Sequence, residues 1–303
     1  MVGEPALSLK RGGCRTRLPS HPFSDARGFV MISVFRAIRH LVVGVTAALA
    51  IFTPLWFAAA GLGTRFDFWS YRFGLGVMTF EWGPRFLFAA LGAGALSLVL
   101  LIVFRFVFGK ANAPGAGGWV AAVLAIAVGA GGLGYAASVR EYASTIPPIH
   151  DITTDTQNPP QFSAALIDRR GPDANSIDYA SKIDPRSERP LPEVQAEAYP
   201  QIQPMTFAVE PELVYEAALN TARDLGWKIG TDSPEAGLFE ATDTTFWFGF
   251  KDDVVVRVTA LEDGGSRVDA RSVSRVGVSD LGANAARLEQ FETRLRSSLG
   301  EGA

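Results

Sequence analysis

One short stretch of this sequence holds the side chains best suited to acid–base or metal chemistry. His150 and Asp151 are adjacent, and Asp155 follows them closely. A His–Asp pair can ligate a divalent ion, but metal-dependent hydrolases need further histidines, and the two others both precede residue 41. A Ser–His–Asp nucleophile system would also have to use His150, and Asp151 is poorly placed to orient an adjacent ring. The sequence therefore predicts no metal or cofactor site and gives little support to nucleophilic catalysis.

The same stretch has part of the spacing of a calcium-binding loop. Asp151, Thr153 and Asp155 stand at the first three ligand positions of such a loop. Thr156 stands where the loop needs glycine, and Phe162 stands where it needs a bidentate glutamate. Short polar side chains between pairs of prolines more often cap turns by accepting hydrogen bonds from nearby amides, which is the interpretation we prefer.

A second candidate site combines two arginines with the start of a helix. Arg271 and Arg275 lie near the end of a predicted strand, where the period of two places them on one face. Ser279 or Asp280 can cap the following helix, whose first amides lack partners. Two guanidinium groups beside a helix N-terminus could bind an anion. The simpler interpretation, which we prefer, is that Arg275 forms an ion pair with Asp280 or Asp155.

Four aromatic residues crowd one predicted hairpin connection, residues 246–250. Trp247 and Phe248 are the candidate ligand contacts among them. Such a cluster could cover a groove for a lipid-like ligand, dip into a bilayer, or complete the core of the sheet. Of these three, we expect packing in the core.

Residues 205–303 carry the pattern of a small α+β domain. Residues 205–209 predict a strand, and residues 211–225 predict a helix that begins with proline and is followed by glycine. Four further strands and a closing amphipathic helix are predicted at 227–231, 238–244, 254–261, 267–274 and 283–299. The order β-α-β-β-β-β-α predicts an antiparallel sheet with helices on one face, a helix-grip-like arrangement.

Two stretches of the chain resemble the hallmark stretches of the domain of unknown function 1499 family. The first is PPIHDITTDT at 147–156, followed by PPQF at 159–162, and the second is RSVSRVGVSDLGANA at 271–285. The resemblance covers about residues 146–300 and adds Asn284 to the candidate binding residues. It implies a bacterial protein with several membrane spans ahead of the domain. It implies no particular activity.

The first half of the chain is predicted to cross a membrane. Residues 41–61, 86–108 and 119–139 are each long and apolar enough for a bilayer, and Arg105 is the only charge within them. Aromatic residues between the first two stretches are typical of side chains at headgroup depth. We therefore predict a lipid bilayer as the first partner, contacted by three helices.

The domain organisation follows from these patterns. We predict a disordered basic tail at 1–33, in which Met31 is a candidate true initiator, and a three-helix transmembrane region at 34–139. Ten prolines between residues 146 and 204 predict that 140–204 runs extended, as a stalk or wrapped over the domain. The soluble domain then occupies 205–303.

Charge separates the two halves of the chain and predicts their surroundings. Residues 1–138 carry a net charge of +8 and residues 139–303 carry −11. An acidic domain repels phosphate backbones, so nucleic acid is an unsuitable partner. Seven Lys and Arg residues precede the first span, which predicts a cytoplasmic N-terminus in a bacterial inner membrane and a periplasmic C-terminal domain. A signal peptide cleaved near residues 58–60 is the alternative for the first span.

Three functions are compatible with these features. The preferred hypothesis is a non-enzymatic domain, tethered to the membrane, that binds a partner protein or an amphiphilic ligand in the cell envelope. A hydrolase or transferase would use Asp151, Asp155 and His150, assisted by Arg271 or Arg275. A structural subunit of a membrane complex would use the helices themselves as its working interface.

Overall fold

Three long helices form the first part of the protein. The computed structural model describes residues 26–107 and 115–300. The helices are α1 (Ala26–Arg65), α2 (Gly83–Val107) and α3 (Ala116–Thr145). A π-helical segment, Arg72–Trp82, leads directly into α2. Among the described residues, three helices are long and apolar enough to span a membrane, as the sequence predicts: Val30–Arg65, Arg72–Val107 and Ala116–Thr145.

The helices extend beyond the predicted spans. The tail predicted to be disordered, residues 1–33, is helical from Ala26 onward, and its first 25 residues lie outside the described part of the chain. The proposed initiator Met31 falls inside α1. The π-helical segment was not predicted, because its aromatic residues have the same composition as an interfacial loop.

The described part of the chain divides into two compact units, one within residues 1–50 and 90–126 and the other within residues 51–89 and 127–303. Within the first unit, the Thr46 and Ser97 hydroxyls are 2.7 Å apart, and a Cβ on Gly94 would lie within 3.0 Å of atoms of α3. Within the second unit, Trp56 Nε1 donates to the Met78 carbonyl at 2.9 Å. Small residues and interhelical hydrogen bonds thus hold the long helices together, as is common in membranes.

A six-stranded antiparallel sheet forms the centre of the C-terminal domain. Its strands are β1 (Asp151–Thr153), β2 (Met205–Phe207), β3 (Lys228–Ser233), β4 (Leu238–Thr244), β5 (Lys251–Ala260) and β6 (Ser266–Ser274). They have the order β1-β6-β5-β4-β3, and β2 also pairs with β6. β1 pairs with the second half of β6 and β2 pairs with the first half.

Helices pack against one face of this sheet and form the main hydrophobic core. α6 (Pro211–Asp224) and α7 (Ala283–Ser298) cover the buried side chains of Val254, Val256 and Val258 from β5. Trp227 stacks on Phe291 of α7 with ring centroids 5.3 Å apart. The predicted fold class, an antiparallel sheet with helices, is confirmed.

The proline-rich segment wraps over the domain and contains more regular structure than the sequence predicts. It contributes β1 and two short helices, α4 (Ala164–Arg170) and α5 (Leu191–Ala198). Phe162 and Leu166 pack on Val255 and Val273, which point away from α6 and α7. Both faces of the sheet are therefore covered, one by long helices and the other by α4 and its flanking segments.

Candidate functional site

The face of the sheet under α4 carries a buried ion pair between the two hallmark stretches. Arg271 of β6 donates to both carboxylate oxygens of Asp151 in β1, at 2.9 Å and 2.8 Å, and neither side chain is exposed. Lys182 adds a third hydrogen bond at 2.5 Å. Burial works to raise the pKa of Asp151, but the bonds and charges of Arg271 and Lys182 hold that pKa below its usual value. Asp151 is therefore an ionised carboxylate saturated by cations.

Asp253 forms the centre of a second buried cluster on the same face. Arg170 donates to it at 2.6 Å, and Arg275 donates at 2.8 Å and 2.9 Å. The predicted pairing of Arg275 with Asp280 or Asp155 is wrong. The physical reason is register: Asp253 lies opposite Val273 in the neighbouring strand, so it is diagonal to Arg275 on one face.

Asp155 caps a turn, as predicted, and also forms ion pairs. Its Oδ1 accepts hydrogen bonds from the backbone amides of Gln157 and Asn158 at 3.0 Å and 2.9 Å. Its Oδ2 accepts one from Arg267 at 2.6 Å, and Arg257 lies 3.7 Å away. Within residues 26–107 and 115–300, no group of three or more His, Cys, Asp or Glu side chains is arranged to hold a metal ion.

The start of α7 lies on the opposite face of the sheet from Arg271 and Arg275. Asp280 accepts hydrogen bonds from the amides of Gly282 and Asn284 at 2.8 Å and 2.9 Å, which confirms it as the predicted cap. The alternative of an anion site has no support in this geometry, because Asp280 already accepts hydrogen bonds from these amides and odd-numbered residues of β6 point away from α7. Even-numbered Ser272 and Ser274 face α7.

Asn284 joins the two hallmark stretches from the α7 side. Its amide donates to the His150 carbonyl at 3.1 Å and to Ser274 Oγ at 2.9 Å. Arg287 completes the cluster by binding Asp252 at 2.6 Å. Arg287 was not singled out in the sequence. Its spacing could have identified it, because Arg287 lies three residues after Asn284 on the face of α7 that packs on the sheet.

His150 forms its side-chain hydrogen bond with a backbone carbonyl and not with an acidic side chain. Its Nδ1 lies 3.1 Å from the Val278 carbonyl and donates to it, because a carbonyl only accepts. Burial lowers the pKa of His150, and this hydrogen bond opposes the shift. In the described part of the chain, His150, Asp151 and Asp155 make separate contacts and do not converge in an open cleft.

The aromatic connection between β4 and β5 lies beside the end of α1. Phe246 and Trp247 are 67% and 53% exposed, so the expectation that the cluster packs in the core is wrong for these two residues. Phe248 and Phe250 stack on each other with ring centroids 5.3 Å apart. Arg65, the last residue of α1, donates to the carbonyls of Thr245 and Phe246 at 2.8 Å and 2.5 Å. The sequence could not show this contact, which joins positions 180 residues apart.

A cavity of about 490 Å³ opens between this connection and residues 64–72. Its lining is amphipathic. Trp69, Tyr71 and Phe248 supply aromatic rings, and the charged lining contains four basic and two acidic side chains. Of the candidate residues, Phe248 and Arg275 contribute to it. A second cavity of about 500 Å³, around Tyr215 and Asp232, contains none of them.

Comparison with known proteins identifies the domain. Residues 151–295 match the family described as "Protein of unknown function (DUF1499)". No curated protein matches the chain. The matched range begins at β1 and ends within α7, so it contains the whole sheet, the second hallmark stretch and the first one from Asp151 onward. The resemblance drawn from those stretches is thereby confirmed: the C-terminal domain of this protein belongs to the DUF1499 family.

Proposed function

We propose that this protein binds an amphiphilic ligand at the surface of a bacterial inner membrane, through its C-terminal domain on the periplasmic side. One observation carries the proposal: the cavity between the β4–β5 connection and residues 64–72. Ligand sites usually combine an apolar wall with a few well-placed polar groups, and this cavity has both.

The position of the cavity suits a ligand that is partly in the bilayer. Thr64 at its edge belongs to the last turn of α1, a helix apolar enough to span a membrane. Trp69 and Tyr71 follow immediately, and such rings favour the depth of lipid headgroups. A molecule with an acyl chain beside α1 would place its polar end within reach of the cavity.

The charges in the cavity favour an anionic polar end. Arg72, Arg170, Lys251 and Arg275 line it, against Asp67 and Asp173. Arg170 and Arg275 share the carboxylate of Asp253 below the lining, so Arg72 and Lys251 are the cations we propose for ligand contact.

The proposed orientation places this cavity outside the cytoplasm. The Lys and Arg residues before α1 favour a cytoplasmic N-terminus, and three crossings then put the ends of α1 and α3 on the other side. Catalysis by His150, Asp151 and Asp155 is the weaker alternative, because Arg271 and Lys182 already saturate the Asp151 carboxylate.

Native mass spectrometry of the full chain, released from mild detergent, tests the proposal. We expect the wild type to retain an anionic lipid, and the variant Arg72→Gln/Lys251→Gln to lose most of it. The control variant Lys228→Gln/Arg189→Gln removes the same charge from exposed positions elsewhere in the domain and should retain the lipid. Equal retention by both variants, or a wild type that retains no lipid, would contradict the proposal. A protein retained in place of a lipid would favour the partner-protein alternative.

A further inference from the structure

We infer that the β4–β5 connection is itself a membrane-contacting element, with Phe246 and Trp247 lying among lipid headgroups and the upper acyl chains beside α1. This inference concerns the bilayer as partner and does not rest on binding of a ligand in the cavity. Four observations support it: the depth of the contact with α1, the pairing of loop carbonyls, the shape of the loop and the exposure of its rings.

The first observation is how deep along α1 the loop makes contact. A Cβ on Gly61 would lie 3.2 Å from the Trp247 carbonyl oxygen, so the loop backbone packs directly on α1 at this glycine. Gly61 is the last residue of the predicted apolar span. Since a helix rises about 1.5 Å per residue, Gly61 lies roughly 6 Å deeper than Arg65 along α1. The loop therefore reaches beyond the polar end of the helix.

The second observation is the pairing of the loop carbonyls. Backbone carbonyls that approach hydrocarbon need donors from the protein, because lipid tails supply none. Arg65 provides them for Thr245 and Phe246 and also lies over the Phe246 ring, 5.4 Å from its centroid. The Phe250 carbonyl is bonded within the turn, where it accepts from the Thr245 amide at 2.9 Å, and the Thr245 carbonyl also accepts from the Gly249 amide at 3.2 Å.

The shape of the loop matches the helix against which it lies. Gly249 has a φ of +65°, a left-handed conformation that favours glycine, and a Cβ there would lie 3.1 Å from the Arg65 Cα. Tyr71 packs edge-on against Phe250 with ring centroids 6.2 Å apart. The loop is therefore held against α1 and the segment that follows it by close backbone contact on one side and ring packing on the other.

Exposure of the rings identifies the partner. Exposed turns normally carry small polar residues, whereas this turn presents Phe246 and Trp247. The segment between α1 and α2 carries further exposed aromatic side chains: Phe66, Phe68, Phe73, Phe80 and Trp82. A belt of aromatic side chains continuous with an apolar helix is typical of a membrane interface. The bilayer that surrounds α1 is therefore the occupant that fits the loop.

Spin-label accessibility tests the inference on the full chain in lipid vesicles. In a Cys14→Ser background, we would label Trp247→Cys and, as a matched control, Glu262→Cys in the turn at the other end of β5. Ten residues of strand separate the two turns by about 33 Å. Leu55→Cys on the exposed surface of α1 provides the lipid reference.

A spin label at position 247 should collide more often with oxygen than with a water-soluble nickel chelate, as a label at position 55 should. A label at position 262 should collide more often with the nickel chelate. A label at 247 that behaves like the one at 262 would overturn the inference. Because the Trp247→Cys change removes an aromatic ring from the turn, a second measurement uses Trp247→Phe, which keeps one. Brominated lipids should quench a smaller share of tryptophan fluorescence in this variant than in the wild type, and an unchanged share would count against membrane contact.

Discussion

The carboxylate of Asp151 lies in a fully buried environment and accepts hydrogen bonds from two cations, Arg271 and Lys182. Removing such charges from water costs several kcal/mol per ion, so the pair is weak evidence of net stability. Removing one member alone strongly destabilises the folded protein all the same, because the other member stays charged and buried. The pair also joins β1 to β6, so it ties the wrapping segment to the sheet in a defined register.

Replacing Asp151 by Asn should destabilise the protein by about 3–5 kcal/mol, because two buried cations lose their counter-charge. Chemical unfolding of the full chain in detergent measures the effect. The control is Arg189→Gln, which breaks an exposed pair with Glu197 and should cost less than about 1 kcal/mol. A loss below about 1 kcal/mol for Asp151→Asn would show that the pair is dispensable.

His150 should make stability depend on pH near neutrality. Burial lowers its folded pKa, and its buried Nε2 has no partner among the described residues. The folded state therefore binds fewer protons than the unfolded state, so stability is fully present above pH of about 6.5 and falls as the pH drops below it.

The melting temperature of the wild type should accordingly fall between pH 7 and pH 5.5 by more than that of His150→Gln. Carboxylates with low pKa values, such as Asp151, remain ionised across this window and do not contribute. Parallel curves for the two proteins would show that His150 is not the group responsible.

Among the secondary-structure elements, the short ones depend most on side chains from elsewhere. β1 has three residues and is bonded along one edge by β6. At its other edge, the Gln195 side chain of α5 accepts from the Thr153 amide at 3.0 Å and donates to the Thr153 carbonyl at 2.7 Å. A side-chain amide thus takes the place of a further strand, which leaves this edge unavailable for pairing with another chain.

The N-terminal end of α7 depends on Asp280. Asp280→Ala should cost about 0.5–2 kcal/mol, because two backbone amides lose their acceptor. Asp280→Asn keeps an acceptor oxygen and should recover most of this loss. Thermal unfolding of both variants measures the difference, and equal stability of the alanine and asparagine variants would argue against a capping role.

Net charge divides the complete chain, with +8 in residues 1–138 and −11 in residues 139–303. Arg186 connects the C-terminal domain to α3 by donating to the carbonyls of Ala143 and Ile146, at and just after the end of that helix, at 3.2 Å and 2.8 Å. A cation at a helix C-terminus also interacts favourably with the helix dipole. Together with the Arg65 contact, this attaches the domain to the ends of two of the long helices.

The proposed orientation predicts which positions are accessible from outside the cell. In a Cys14→Ser background, a membrane-impermeant maleimide should label Glu262→Cys in intact cells. Gly115→Cys, at the start of α3, should be labelled only after the membrane is permeabilised. Labelling of the two positions in the opposite order would reverse the orientation.

Features that depend on short-range pattern could be predicted from the residues alone. Continuous apolar stretches require a membrane or a protein interior, and only helices satisfy their own backbone there, so three spans were predictable. The alternation in β5 and the proline at the start of α6 located the principal strands and helices to within a few residues. The cap by Asp280 was predictable for the same reason, since capping is a local interaction.

Tertiary structure alone decided which partners these elements meet. The pairing of Arg275 with Asp253 depends on the register of β5 and β6, and nothing in either strand distinguishes it from the pairing with Asp280 or Asp155. The position of the aromatic loop could not be predicted either, because a ring that packs in a core and a ring that faces lipid have the same apolar character. Its position follows from Arg65 and Gly61. The physical reason is that local sequence sets backbone preference and burial pattern, whereas long-range partners depend on where the completed fold places each side chain.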